Sequence, residues 1–147
     1  MELSPEVMNQ LSPETLAALM EFYDEKNKTK IEEDGFEKID EDWELSQFWY
    51  TKETADKIIL LIGNYAKKHK KENIALLCAP SLYRAFLRNK DKLENLNFAL
   101  FEFDKRFSIF GEDFNFYDLN KPLEIDSKHH KKYDIIVADP PFLIKKR

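Results

Sequence analysis

Apolar side chains recur along the chain in two rhythms. Near the N-terminus, Leu16, Leu19, Met20 and Tyr23 fall at i, i+3, i+4 and i+7, which makes one face of a helix. Ser12 is a good N-cap, Pro13 suits the first helical position and Glu14 sits at the positive end of the dipole, so this helix is predicted to begin at Ser12. A second helical stretch carries Ala55, Ile58, Ile59, Ile62 and Ala66 behind Thr51 as N-cap. It runs into Lys67-Lys68-His69-Lys70-Lys71, which suits a solvated helix C-terminus. Beyond that point the rhythm changes. Residues 74–78, 98–103, 114–117 and 133–138 are short apolar runs, the last with the β-branched Ile135-Ile136-Val137. Residues 81–93 read as a helix with Leu82, Ala85, Phe86 and Leu93 on or near one face. Continuous apolar runs joined by crossovers predict an α/β fold with a parallel sheet covered on both faces.

Between the two N-terminal helices the chain turns polar and acidic, with isolated Ile31, Phe36, Ile39 and Trp43. That composition predicts a flexible linker with a few anchoring side chains, so residues 1–44 divide off as a helix and an acidic linker. The 147 residues suit one domain, and 12 phenylalanines are enough to fill its core. The formal charge of -5 gives no electrostatic reason to bind nucleic acid strongly, although it leaves room for local basic patches. The single cysteine, Cys78, excludes an internal disulfide and any multi-cysteine metal site, and its apolar surroundings read as a small buried hydrophobe. His129-His130 lies among lysines and reads as a solvated loop, so no metal is expected. With no secretory leader and no apolar stretch of about 20 residues, a soluble, cytoplasmic protein is expected.

Ligands of open α/β sheets bind at the carboxyl ends of the strands. The first predicted strand is followed by Ala79-Pro80-Ser81, the second by Glu102 and Asp104, the third by Asp118, and the fourth by Asp139-Pro140-Pro141-Phe142. Three strand ends therefore carry carboxylates. None of Gly35, Gly63 and Gly111 follows the first strand, where a dinucleotide fold needs its glycine-rich turn against a pyrophosphate. This counts against NAD, FAD and nucleoside triphosphates, and less against a ligand without phosphate. Small residues such as Ala79 and Ser81 still let the backbone approach an amino-acid moiety.

Asp139-Pro140-Pro141-Phe142 resembles the [DNS]-P-P-[YFW] motif of methyltransferases that modify amino nitrogens. An acidic side chain and the following carbonyl accept hydrogen bonds from an NH2 group, while proline, with no N–H, fixes the turn. Gln47-Phe48-Trp49-Tyr50-Thr51 is similar to the aromatic-Thr segment ahead of the first strand in many such enzymes. With the glycine-poor stretch 77–83, Asp104-Lys105-Arg106-Phe107 and residues 114–118, these motifs resemble one family over about residues 11–142. It is the protein-lysine methyltransferases of translation elongation factor 1-alpha, once classed by motif as N6-adenine DNA methyltransferases.

The resemblance implies a Rossmann-like class I fold over residues 45–147, with S-adenosylmethionine as cofactor. In the methyltransferase order the strands at Ile74 and Tyr133 are neighbours, and the Phe98 strand lies on the other side of the first. Glu102 or Asp104 would bind the ribose hydroxyls and Asp118 the adenine amino group. The aromatics of the Phe48, Trp49 and Tyr50 segment, with Thr51, would flank the cofactor. Asp139, Pro140 and Phe142 would hold the target amine. The expected substrate is the elongation factor; an N6-adenine methyltransferase on DNA or RNA is the alternative. Members of that family continue past the Pro-Pro motif, so about four strands of a larger sheet are expected here, in a shortened form whose other role is that of an inactive binding module.

Overall fold

The structure, a computed structural model, describes residues 12–27, 31–42, 45 and 47–141. The four apolar runs form strands β1 (Asn73–Leu77), β2 (Asn97–Glu102), β3 (Phe114–Phe116) and β4 (Ile135–Ala138). They pair in the order β3-β2-β1-β4, all parallel. Ile74 aligns with Phe98 on one side and Ile135 on the other, as the methyltransferase strand order requires.

Helix α1 (Pro13–Asn27) begins where its cap predicts, with Ser12 Oγ accepting from the Thr15 amide at 3.2 Å. Leu16 and Leu19 are half-buried and Met20 is exposed; the Tyr23 side chain, Leu11, Trp43 and Phe142 lie outside the described residues. Helix α2 (Lys52–Lys68) is capped by Thr51 Oγ1, which accepts from the Thr54 amide at 3.3 Å. Helix α3 (Pro80–Arg88) is shorter than the predicted 81–93. Asn89 ends it: its side-chain amide donates to Asp56 at 3.0 Å and back to the Ala85 carbonyl at 2.8 Å. A 3-10 turn, Lys90–Lys92, then delivers Leu93 beneath α2, against Gly63.

Alternation along the strands builds two cores. Ile74 and Leu76 of β1, with Phe98 and Leu100 of β2, face α2 and α3 and pack on Ile59, Ala66, Leu82 and Phe86. On the opposite face Ala75, Phe101 and Tyr117 gather Leu119, Ile125 and Tyr133. Strand β4 lies at the sheet edge, where Ile136 on this second face is 67% exposed.

Residues 31–42 are not the free connector that their composition suggests. Ile31 bridges Glu37 around a turn at Gly35, whose φ of +84° suits glycine. From α3, Arg84 reaches Glu32 at 3.0 Å, Asp34 at 2.8 Å and the carbonyl of Glu37. Phe36 packs edge-on against Phe110 at 5.0 Å. A buried guanidinium needs carboxylates to offset its lost hydration, and the acidic segment supplies them. Charge that reads as solvated in sequence is used here as a partner.

The Asp34 side chain is fully buried in its pair with Arg84. Arg84→Met strands that carboxylate and is expected to cost about 3 kcal/mol in urea unfolding. Lys57→Met, which breaks the exposed Lys57–Glu53 pair, is expected to cost no more than about 0.5 kcal/mol. Similar costs for the two would show that the Arg84 clamp does not hold the segment.

Candidate functional site

Because all four strands are parallel, their exits share one edge, and backbone hydrogen bonds continue past the strand ends to bind those exits together. The Asp139 amide donates to the Leu77 carbonyl at 2.9 Å, the Cys78 amide to Phe101 at 2.8 Å, and the Tyr117 amide to Glu102 at 3.1 Å. Asp118, Glu102, Cys78 and Asp139 therefore follow one another along the rim. Cys78 turns the chain from β1 towards α3 with a φ of +56°, a left-handed conformation uncommon outside glycine. Burial, with the nearby charges of Glu102 and Asp139, pushes its thiol up to about 12, so it stays protonated. The sequence places Cys78 in the core; the structure leaves it half-buried at this rim. Its position as the last residue of the first apolar run was the one available signal.

Glu102 is buried at the end of β2 and accepts from the Asp104 amide at 3.1 Å. Burial raises its carboxyl above the ordinary range, and the charge of Asp104 adds to that. Asp104 is engaged within the protein. It accepts from Gln47 Nε2 at 2.7 Å and from Arg106 Nη2 at 2.7 Å. Gln47 Oε1 accepts in turn from the Asp42 amide at 2.8 Å and from Arg106 at 3.1 Å. This network fastens the segment that leads into α2 to the end of β2. Asp118 is half-buried, and its Oδ1 accepts from the amide and the side chain of Asn120 at 2.9 and 3.1 Å.

The aromatic segment divides by role. Trp49 donates through Nε1 to the Ile39 carbonyl at 3.2 Å and packs edge-on against Phe107, which pins the segment to the core. Phe48 is 59% exposed. Tyr50 lies near the motif after β4: burial, together with the nearby charge of the Asp139 carboxylate, raises its phenol. Tyr50, Trp49, Ser81, Arg84 and Phe107 line a cleft of about 140 Å³. Ala79 is buried beneath the rim, Pro140 is exposed, and Phe142 lies outside the described residues. The structure thus brings Glu102, Asp104, Asp118, Asp139 and Tyr50 to one edge, with Thr51 retained as a helix cap. Gln47 and Arg106 were visible in sequence only as parts of motifs: Arg106 bonds Asp104 two residues away, but Gln47 lies 57 residues from Asp104 and 59 from Arg106.

The family described as probable N6-adenine methyltransferase matches residues 41–147. EEF1A lysine methyltransferase 1 of Homo sapiens is 41% identical over 152 residues, covering 97% of this chain and 67% of that protein. A protein-lysine N-methyltransferase of Dictyostelium discoideum is 42% identical, covering 90% of this chain and 60% of that protein. Protein-lysine N-methyltransferase EFM5 of Saccharomyces cerevisiae is 38% identical, covering 90% and 61%. The chain therefore spans between 60 and 67% of the length of these relatives. No solved structure matches it.

Asp104 and Glu102 give acid titration a test. Burial alone would raise Asp104, but the hydrogen bonds from Arg106 and Gln47 outweigh it and hold the carboxyl below its ordinary range. Its contribution to stability is therefore complete above the unfolded value of about 3.9 and is lost as pH falls through the lower folded value. Glu102, shifted upward, works with the opposite sign: its contribution is present in acid and is lost as pH rises through its folded value. In thermal melts Asp104→Asn is expected to lose less stability than the parent as pH falls from about 4 to about 2. Parallel declines would remove Asp104 from the acid response.

Proposed function

The chain belongs to the probable N6-adenine methyltransferase family, along with EEF1A lysine methyltransferase 1, and on that premise we propose that it uses S-adenosylmethionine to methylate a lysine of translation elongation factor 1-alpha. The observation that carries the reading is the placement of Asp139. It leaves β4 beside the exit of β1, its amide is held by the Leu77 carbonyl, and its carboxylate lies near the Tyr50 phenol, whose ionisation it opposes. An acidic acceptor at the start of a Pro-Pro turn suits a primary amine.

The rim residues fit the cofactor. Glu102, buried and near Cys78, is the acceptor for the ribose hydroxyls, because Asp104 is committed to Gln47 and Arg106. Asp118 is the acceptor for the adenine amino group. Ala79 and Ser81, small and at the start of α3, allow the amino-acid end to approach the backbone. Phe48 and Tyr50 are the members of the aromatic segment assigned to flank the cofactor, and Phe142 is the aromatic residue of the motif in sequence. When bound, the cofactor supplies an electrophilic methyl on a sulfonium centre. The protein's part is orientation: Asp139 and the carbonyl that follows it fix the nitrogen lone pair on that methyl. A lysine amine, ordinarily near 10.4, must first lose its proton. The carboxylate alone favours the ammonium form, so removal of the amine from water drives the loss. A cytoplasmic location agrees with this substrate, and no described helix is long and apolar enough to cross a membrane.

Radiolabelled S-adenosylmethionine tests the reading, offered with the elongation factor or with adenine-containing oligonucleotides, to this chain and to a form extended to its relatives' length. Label is expected on a lysine of the factor. Asp139→Ala is expected to lower turnover about 100-fold, while calorimetric binding of S-adenosylhomocysteine changes by less than about threefold. Glu102→Ala is expected to show the reverse priority, with cofactor binding lost first. Label on the oligonucleotides alone would favour the adenine reading, and full turnover by Asp139→Ala would remove that residue from the mechanism.

A further inference from the structure

The parallel sheet that gathers carboxylates at the strand exits also gathers lysines at the strand entries. The entry to β1 is the end of α2 and its continuation, with Lys67, Lys68, Lys70 and Lys71 all exposed. The entry to β2 follows the 3-10 turn that carries exposed Lys90 and Lys92. The entry to β4 carries exposed Lys131 and Lys132. Direct bonds hold the three entries together. Lys67 Nζ donates to the Lys92 carbonyl at 2.6 Å, and the Asn97 amide donates to the Glu72 carbonyl at 2.8 Å. The Asp134 carboxylate accepts from the amides of Glu72 and Asn73 at 3.1 and 3.0 Å, with Lys71 close enough to lower it further.

Eight lysines on these three entries stand against four carboxylates, Glu72, Asp91, Glu94 and Asp134, and the last of these is occupied by backbone amides. The net charge of -5 hides this edge, because residues 1–50 carry 14 carboxylates against four lysines. An exposed π-surface adjoins it: Tyr65 is 56% exposed and stands 4.2 Å from the ring of His69 at the end of α2. We propose that this lysine edge, with the Tyr65–His69 pair, is a binding surface for single-stranded nucleic acid, separate from the methyl-transfer edge. Lysines neutralise phosphates without reading sequence, and an aromatic face beside them offers a base something to stack on. An acidic polypeptide would use the lysines and leave the aromatic pair without a role. The inference does not depend on which substrate is methylated.

Fluorescence anisotropy with a labelled 12-nucleotide RNA of mixed sequence, and with DNA of the same sequence, tests the proposal on the intact chain. Both are expected to bind at low salt. With about four phosphates engaged, raising salt fourfold is expected to weaken binding about 50-fold. The variant Lys68→Glu/Lys71→Glu/Lys132→Glu is expected to bind at least tenfold more weakly at an unchanged melting temperature. Tyr65→Ala is expected to weaken binding several-fold without changing the salt slope. Asp139→Ala, at the opposite edge, is expected to bind RNA as the parent does. The proposal falls if no oligonucleotide binds, if the triple variant binds undiminished, or if polyglutamate or anionic vesicles compete as well as RNA. Loss of RNA binding in Asp139→Ala would overturn it by placing the strand at the methyl-transfer edge.

Discussion

The pairing of β1 on both sides governs this molecule. Its residues bond β2 on one flank and β4 on the other, and Ile74 and Leu76 are fully buried between that ladder and the helices. A buried backbone group left unpaired costs free energy comparable to a lost hydrogen bond, so neither neighbour slips without a penalty. A slip of one residue would also carry Ile135 and Val137 from the helix-covered face to the other. Because both pairings are parallel, fixing the register fixes every exit at one edge. Asp139, Cys78 and Tyr117 extend the pairing by one amide each, and this spaces the rim without help from side chains.

On that rim the N-terminal half of the chain is fastened by two arginine-centred clusters. Arg84 holds Glu32 and Asp34; Arg106, with Gln47, holds Asp104 and the Asp42 amide. Both clusters place a guanidinium among several acceptors, the geometry that compensates a partly buried cation best. Between them the chain presents Tyr50 to Asp139, while Trp49 anchors it to Phe107. Asp104 is part of this fastening, which leaves Glu102 as the acidic group at the end of β2 that lies near Cys78.

The polarity of a parallel sheet also separates charge. Exits carry Glu102, Asp104, Asp118 and Asp139; the entries of β1, β2 and β4 carry lysines, and that of β3 carries Glu112 and Asp113. At an ionic strength near 0.15 M the screening length is about 8 Å, so the two edges act on their surroundings as separate surfaces. The chain's total charge describes neither of them.

Periodicity alone determined the strands, the two capped N-terminal helices and the parallel sheet, because side-chain spacing and cap chemistry act over a few residues. The order β3-β2-β1-β4 and the methyltransferase character were legible through Asp139-Pro140-Pro141 and the aromatic segment. Local patterns missed where α3 stops, because Asn89 bonds Asp56 across to α2. They missed that the acidic residues 31–42 are docked, because the cation that holds them, Arg84, is about 50 residues away. They placed Cys78 in the core, and they read His129 as a solvated loop residue, whereas it is buried and bonds the Tyr133 hydroxyl at 2.8 Å. Which carboxylate is free and which is engaged, and whether three lysine runs meet, depends on contacts between residues distant in sequence. Composition and periodicity carry no information about such contacts, and only the closed sheet decides them.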